Sequence, residues 1–248
     1  MLKEIKNLIA FLTIIPLGMD SDCLSDASNY MFLFPLVGAL IGLMAGIFAW
    51  LLHKILDPLI MGILTLGVIL LITGLHHFDG LLDFGDGIMC QGPPERKIEV
   101  MHDQQTGAGG LTLGLLTILT TTFCIAQLNH NFIIQSLIVS EVSAKLAIVI
   151  IAWVGRSAHE GMNTYFVNAM HRRYRNLRLA VALFITFCIA LSLMSVAGFA
   201  AVAAGLTVAL VLTLISNRHI KGVTGDVFGA GNELARLGSL IAILVVVR

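Results

Sequence analysis

Three aspartates spaced four and three residues apart lie in the stretch His76–Gly87. Asp79, Asp83 and Asp86 would share one face of a helix, because residues three or four positions apart are neighbours on a helix surface. Adjacent carboxylates repel each other unless a cation neutralises them. Oxygen ligands suit a hard divalent ion, most often Mg²⁺, which usually also coordinates substrate phosphates. The spacing therefore predicts a Mg²⁺ site, with a solvated acidic helix end as the alternative.

A second candidate segment is the glycine-rich stretch Lys221–Glu233. Asp226 and Glu233 are seven residues apart, which again places them on one helical face. The glycines permit tight contact between the backbone and a ligand, although small residues also serve close helix packing. Carboxylates for a metal and glycines for phosphate suggest phosphoryl or nucleotidyl transfer, in which positioning and electrostatics supply most of the catalysis.

A charged segment with a glycine-rich end follows the three aspartates. Pro93 and Pro94 interrupt the chain, and we expect a short amphipathic helix that ends near Asp103. The glycines between Gly107 and Gly110 open the next apolar run, where backbone amides at a helix start suit an anion. A glycine-rich turn alone is weak evidence, but its position beside three carboxylates favours a phosphate-binding role.

The composition is that of a membrane protein. Hydrophobic residues make up 57% of the 248 residues and charged residues only 12%, about half the charged fraction of a soluble domain. The formal net charge of zero gives no argument for nucleic-acid binding. Four scattered cysteines support neither a zinc site nor a disulfide framework.

The apolar runs predict an all-α, polytopic integral membrane bundle of six or seven transmembrane helices, in a single domain of residues 1–248. Residues 1–18 contain too short an apolar run to span and are interpreted as an interfacial or re-entrant segment. The predicted spans are 30–52, 58–76, 109–128, 132–153, 178–197, 200–217 and 236–248. At about 1.5 Å per residue, the last cannot cross a core of about 30 Å unless residues before Arg236 continue it.

The connections between these runs alternate in length, and the long polar ones lie at 77–108, 154–177 and 218–235. Together with the N-terminus they share one side of the membrane, to which twelve of the fifteen Lys and Arg residues are assigned. The positive-inside rule makes that side cytoplasmic. We therefore expect a multi-pass protein of the cell (inner) membrane with its active site facing the cytoplasm.

Two charged residues lie inside a predicted span. Glu141 and Lys145 are four residues apart, and charges within a membrane are costly and often functional. A functional pair and a buried structural pair are both open at this point.

The chain resembles the cobalamin synthase family, also called adenosylcobinamide-GDP ribazoletransferase, over nearly its whole length. The acidic block and the Thr-Gly-Asp block at Thr224–Asp226 are the most specific parts of the resemblance. The matching segments are Phe11–Pro16, Phe34–Gly38, Gly74–Asp83 with Asp86 and Gly87, Met101–Asp103 with Gly107, and Gly222–Asp226 with Gly229, Ala230 and Glu233.

The resemblance implies a Mg²⁺-dependent membrane transferase of the last steps of vitamin B12 biosynthesis. Such an enzyme joins adenosylcobinamide-GDP to α-ribazole or its 5′-phosphate, releasing GMP and forming adenosylcobalamin or its 5′-phosphate. A ribose hydroxyl attacks the corrinoid-side phosphorus of the pyrophosphate, and the general base is open among His76, His77 and one aspartate. The residues assigned to catalysis are Asp79, Asp83, Asp86, His76, His77 and Asp103, and those assigned to the metal are Asp79, Asp83, Asp86 and Asp226.

Two positions depart from the family pattern by the loss of a cation. Ile14 stands where the family has an arginine, and the run His102–Gln105 replaces a more basic one. Cationic residues elsewhere are therefore candidates for the missing phosphate contacts. The predicted substrate-binding residues are Gly107, Arg96, Arg156, Lys221, Thr224, Gly225, Asp226, Asn232 and Glu233.

Two other functions compete with this interpretation. A CDP-alcohol phosphotransferase-like lipid enzyme also places aspartates at the cytosolic face, but its pattern needs Ala-Arg soon after Asp-Gly, where this chain has Leu81 and Leu82. An ion-coupled membrane transporter would suit Glu141 and Lys145, but the acidic residues cluster at one face and no internal repeat is visible. Membrane lipid is the expected surrounding, nucleic acid is not an expected partner, and a homo-oligomer is left open.

Overall fold

The computed structural model describes residues 2–18 and 21–247, and within them the chain is helical. These residues form no strand and have one isolated bridge, between Ser157 and Val223. The all-α class predicted from the sequence is therefore confirmed. The helices are α1 (Leu2–Leu12), α2 (Cys23–Asn29), α3 (Phe34–Leu52, preceded by the 3₁₀ turn Met31–Leu33), α4 (Pro58–Ile72), α5 (His76–Met89), α6 (Pro94–Met101), α7 (Ala108–Ala126), α8 (Ile133–Val154), α9 (Met162–His171), α10 (Arg175–Ile220) and α11 (Gly225–Val247).

Five helices of the described chain are long and apolar enough to cross a membrane, namely α3 with its preceding turn, α7, α8, α10 and α11. Helices α4 and α5 meet the same criterion only as a pair, and they are bent by 96° at the break between them. Helix α5 by itself is therefore not one of the candidate spans. The polytopic helical bundle is confirmed, whereas the limits of each crossing remain predictions.

Helix α10 is folded back on itself. Ser195 has a φ of 44° and a ψ of −119°, which lie outside the helical region. The rings of Phe187 and Phe199 are only 5.9 Å apart between centroids, although residues twelve positions apart are separated by about 18 Å along a straight helix. The two predicted spans 178–197 and 200–217 thus correspond to two arms of one helix, and the reversal lies at Ser195 rather than at 198–199.

The C-terminal helix is longer than its apolar run. Helix α11 has 23 residues and begins at Gly225, so the residues before Arg236 do continue the segment predicted at 236–248, of which Arg248 lies outside the described residues. At about 1.5 Å per residue this helix is long enough to span. Its first half contains the glycine-rich segment that the sequence places in a loop, and Arg236 therefore belongs to the helix interior and not to the cytoplasmic flank.

Helix α8 is the centre of the bundle and packs against α3, α10 and α11. The stripe of Gly38, Gly42 and Gly46 on α3 faces it directly. A Cβ added at Gly38 or Gly42 would lie 2.5 Å from a backbone oxygen of α8, closer than any real Cβ contact. The stripe is therefore a surface for close helix packing.

Candidate active site

The acidic stretch forms a helix of its own because the chain turns sharply before it. Gly74 and Leu75 have φ values of 64° and 62°, a left-handed conformation that glycine tolerates and that leucine rarely adopts. Helix α5 then begins at His76. The three aspartates of the acidic stretch therefore lie on one helix, as their spacing predicts.

Helix α5 crosses α11 nearly in backbone contact, because both helices have glycine at the crossing. A Cβ added at Gly80 would lie 3.0 Å from the Cα of Asp226, and one added at Gly229 would lie 2.7 Å from the carbonyl oxygen of His77. The crossing places the acidic face of α5 beside Asp226. The convergence of the two acidic segments, expected because their connections share one side, is thus present in the fold.

Enlarging Gly229 should separate the two acidic segments. Gly229→Ala places a methyl group against the backbone of α5, which cannot move aside as a flexible side chain can. We expect turnover per folded protein to fall by about 100-fold, since a displacement of about 1 Å at an active site has an effect of that size. The measurement is specific activity of purified protein, normalised to the folded fraction.

Gly67→Ala is the matched control for this substitution. Gly67 also lies in a helix, α4, and a Cβ there meets no atom within 4 Å. Its activity should equal that of wild type. Equal activity of Gly229→Ala and Gly67→Ala would mean that the close crossing does not set the geometry of the site.

A cavity of about 670 Å³ lies at this crossing. Its wall includes the histidines of α5 and of two connections, three acidic side chains and a group of phenylalanines. No Lys or Arg of the described chain lines it, so any phosphate that enters needs its neutralising charge from another source. The polar side chains in the wall are His76, His77, Asp79, His102, His159, Glu160, Asn163 and Asp226.

The carboxylates near the cavity act on one another electrostatically. Burial, followed by the charges of Asp79, Asp226 and Asp86, raises the pKa of Asp83 from its ordinary 3.8 to about 7. Asp83 itself is only partly buried. At neutral pH the Asp83 carboxyl therefore lies between its protonated and ionised forms, and a cation bound nearby would favour the ionised form.

In protein freed of divalent ions, the contribution of Asp83 to the stability of the folded state should decrease as the pH rises. A carboxyl whose pKa is raised in the folded state binds its proton more tightly there, so its stabilising contribution is complete below the ordinary pKa and is lost as the pH rises through about 7. Melting temperatures of wild type and Asp83→Asn, measured from about pH 5 to about pH 8, test this. The stability of Asp83→Asn relative to wild type should increase over that range, and a difference that stays constant with pH would contradict the shift.

Asp86 has a different position from the other two aspartates of α5. Its carboxylate accepts hydrogen bonds from the backbone amides of Gly107 at 2.7 Å and Gly110 at 2.8 Å. It therefore caps the start of α7, and the anion site expected at that helix start is filled by the protein's own carboxylate. Both Asp86 and Gly107 are used in this contact, so the structure gives them a positioning role between α5 and α7.

The predicted cationic ligands lie outside the cavity, as does Asp103. Arg96 is exposed and pairs with Glu99 at 2.7 Å. Arg156 and Lys221 are exposed on two connections, and Asp103 accepts a hydrogen bond from the amide of Gln105. None of the four is in the cavity wall, so the expected replacement of the lost family cations is not visible in this geometry.

Thr224 and Gly225 lie at the start of α11, next to Asp226. The hydroxyl of Thr224 donates to Oδ2 of Asp226 at 3.1 Å and thereby orients that carboxylate. Gly225 lines the cavity, and a Cβ there would meet nothing within 4 Å. Thr224 is thus a positioning residue, while Gly225 and Asp226 face the space where a ligand would sit.

Asn232 and Glu233, which the sequence predicts to bind substrate, lie away from the cavity. Both are buried, neither lines the cavity, and Asn232 donates to Glu233 at 2.9 Å. Glu233 also pairs with Arg236. The cause is the helical continuation of α11, because Glu233 lies two turns beyond Asp226 and therefore about 10 Å further along the helix.

His77 is the imidazole most affected by its surroundings. Burial, followed by the charges of Lys145 and Arg236, holds the pKa of His77 well below its ordinary value. The ring is therefore neutral at pH 7, and its Nδ1 has no hydrogen-bond partner within the described residues. A neutral imidazole in the cavity wall can accept a proton, which keeps His77 among the candidate bases.

The sequence reasoning missed four polar residues of the cavity wall, namely His102, His159, Glu160 and Asn163. The rings of His102 and His159 meet edge to face with centroids 5.1 Å apart. Asn163 donates to Ser157 Oγ at 2.6 Å and to the carbonyl of Val223 at 2.9 Å, which joins the connections before α9 and α11. His102 lies next to Asp103 in one of the segments that resemble the family, so the sequence did contain an indication that it belongs to the site. The other three had only their position in a long polar connection.

The oxygen ligands that the described residues place near the cavity are of the type that Mg²⁺ prefers, but they do not form a complete coordination shell made by the protein alone. No group of three or more His, Cys, Asp or Glu side chains converges on one point in the described part of the chain. The nearby oxygens are instead carboxylates of Asp79, Asp83 and Asp226. This arrangement suits Mg²⁺, which commonly takes one or two carboxylates, water and substrate phosphates rather than an all-protein shell.

Comparison with known proteins links this chain to one family. A family model described as cobalamin-5-phosphate synthase matches residues 4–244. Proteins named adenosylcobinamide-GDP ribazoletransferase are similar over nearly their full length: that of Methanocella arvoryzae is 35% identical, covering 97% of this chain and 94% of the relative. The protein of Methanococcoides burtonii is 32% identical, covering 99% of this chain and 93% of the relative. The protein of Clostridium acetobutylicum is 29% identical, covering 96% of this chain and 94% of the relative. No solved structure matches the chain.

Proposed function

The chain belongs to the cobalamin-5-phosphate synthase family, and we propose that it is a membrane transferase that joins adenosylcobinamide-GDP to α-ribazole or its 5′-phosphate. A ribose hydroxyl would attack the corrinoid-side phosphorus, a new phosphorus–oxygen bond would form, and GMP would leave. The observation that supports this most directly is the crossing of α5 and α11 at Gly80 and Gly229, which joins two separate acidic segments at one cavity.

We propose Mg²⁺ as the cofactor, with Asp79, Asp83 and Asp226 as the residues that would hold it. When bound, the ion supplies the positive charge that a pyrophosphate needs and that the described cavity wall lacks. The protein contributes the placement of these carboxylates. Thr224 fixes the Asp226 carboxylate, and the Asp86 cap fixes α5 against α7.

The decisive experiment is an assay of GMP release by the purified protein in detergent or nanodiscs. Release from adenosylcobinamide-GDP should require both α-ribazole and Mg²⁺, and the corrinoid product should contain the ribazole. Binding of both substrates without any GMP would exclude the transferase and favour a transporter. Release of GMP that does not depend on α-ribazole would identify a hydrolase.

We also propose that the cavity faces the cytoplasm, because the exposed Lys and Arg residues cluster on the side of the three long connections. Arg236 no longer counts toward this cluster, since it is buried in α11. A single cysteine in place of Glu160, in a background without the native cysteines, tests the orientation, because Glu160 is exposed at the cavity wall. A membrane-impermeant thiol reagent should label it in inverted vesicles, and labelling in intact cells would place the cavity outside.

A further inference from the structure

Four phenylalanines from four helices form a continuous aromatic surface in the cavity wall. Phe166 of α9 is at their centre, with ring centroids 5.4 Å from Phe11, 6.1 Å from Phe34 and 6.3 Å from Phe228. All four line the cavity, together with Leu12 and Ile148. Phe34, Phe166 and Phe228 are buried and are therefore held in place by their neighbours, while Phe11 is half-buried and is the most exposed of the four rings.

The aromatic surface adjoins the acidic part of the cavity. Phe228 lies two residues after Asp226 on α11, and Gly229 is the residue that contacts α5. A ligand that rests on the rings therefore places its remaining atoms near the carboxylates and His77. The cavity thus has two chemical regions, one for a flat apolar group and one for groups that carry or exchange charge.

The charges of the cavity wall decide which part of a substrate the rings can take. Asp79, Glu160 and Asp226 line the wall, and no described Lys or Arg does. An anionic pyrophosphate gains nothing from the aromatic region, whereas an uncharged planar ring stacks well on phenylalanine. A cavity of about 670 Å³ is in the range for a drug-sized ligand. A nucleoside fits that size, but a complete corrinoid with its nucleotide does not.

On the basis of the proposed function, we infer that the surface of Phe11, Phe34, Phe166 and Phe228 is the subsite for the base of α-ribazole. The base stacks on the rings, and the ribose extends toward Asp226 and His77 with its attacking hydroxyl. The corrinoid stays outside the cavity and presents only its pyrophosphate to the carboxylates. The aromatic region is then the part of the site that distinguishes one reactant from the other.

Two substitutions that remove a ring but keep an apolar side chain test this subsite. Phe11→Leu changes a half-buried position on the short helix α1, and Phe228→Leu changes the position nearest the carboxylates. Each should raise the KM and the Kd for α-ribazole by about tenfold, which is the typical effect of losing one base-stacking ring. The KM for adenosylcobinamide-GDP should stay within about twofold of wild type, because the corrinoid does not contact the rings. A general folding defect would instead impair both substrates.

Phe187→Leu is the matched control, since Phe187 pairs with another ring, Phe199, away from the cavity. It should leave both KM values unchanged. A second measurement does not depend on any variant folding: binding of radiolabelled α-ribazole to wild type should be displaced by free benzimidazole and not by ribose 5-phosphate.

The outcomes separate this inference from the proposed function. A rise in the KM for adenosylcobinamide-GDP instead, or displacement by ribose 5-phosphate but not benzimidazole, would overturn the base subsite. A lower melting temperature with unchanged Kd for α-ribazole would mean that the rings only pack the helices, which also overturns it. Failure of wild type to release GMP would contradict the proposed function, and it is measured first, on the same preparation.

Discussion

Asp226→Ala is expected to lower GMP release per folded protein by about 100- to 1,000-fold, and Asp79→Ala by a similar factor, since removing one preorganised electrostatic group commonly has an effect of that size. The two residues are 147 positions apart, yet the contact between Gly80 and Asp226 places them at one cavity. Each segment contributes one carboxylate to the cavity wall, Asp79 from α5 and Asp226 from α11. The loss should therefore appear in turnover at saturating substrate and persist at high Mg²⁺.

The double variant Asp79→Ala/Asp226→Ala gives the sharper test. Residues that act as one unit are not additive, so the double variant should be hardly worse than either single one. Glu99→Ala serves as the control, because Glu99 is acidic and exposed in the same polar connection but lies outside the cavity. Losses that multiply in the double variant would show that the two aspartates act independently. Low expression with normal specific activity would show that they serve folding alone.

The acidic face of α5 was predictable because its information is local. A spacing of four and three residues selects a helical face, and the alternation of long and short connections places both acidic segments on one side. The same local reasoning failed for the direction of individual side chains. The sequence position of Asp86 suits a helix cap as well as a metal ligand. Only its hydrogen bonds from Gly107 and Gly110 show that it caps α7.

The glycine-rich start of α11 was predicted to lie in a long connection, although the spacing of Asp226 and Glu233 already fitted one helical face. Glycine disfavours a helix interior by about 1 kcal/mol relative to alanine, so the segment has the composition of a loop. Here the cost is offset by close packing, since Gly229 lies against α5 and a Cβ at Gly231 would strike Ile151 of α8. The aromatic surface was hidden for a related reason, because its four rings come from four helices and share no spacing.

The buried charges of α8 and α11 form one network, which answers the question left open for Glu141 and Lys145. Glu141 pairs with Arg236, which also pairs with Glu233, and Lys145 donates to Asn232 at 2.6 Å. All of these side chains are buried and none lines the cavity. Two acids and two bases give a net charge of zero, so the network needs no further ion. The geometry therefore favours a structural role over an ion pathway.

Glu141→Gln is accordingly expected to reduce the free energy of unfolding by about 3–5 kcal/mol, because removing one partner leaves an uncompensated buried charge. Arg236→Met should be equally damaging for the same reason. The double variant Glu141→Met/Arg236→Met keeps the network neutral through Lys145 and Glu233, and it should recover much of the loss. Thermal unfolding in detergent, with retention of monodisperse protein as the readout, measures all three.

The double variant distinguishes structure from transport because the two roles predict opposite results. If the charges serve only to join α8 to α11, a neutral pair restores the position of α11 and with it Asp226, so GMP release should return along with stability. If Glu141 and Arg236 move an ion, the neutral double variant should be stable and inactive. Stability that fails to recover in the double variant would show instead that the two hydrogen bonds from Arg236 to Glu141, and not charge balance, hold the two helices together.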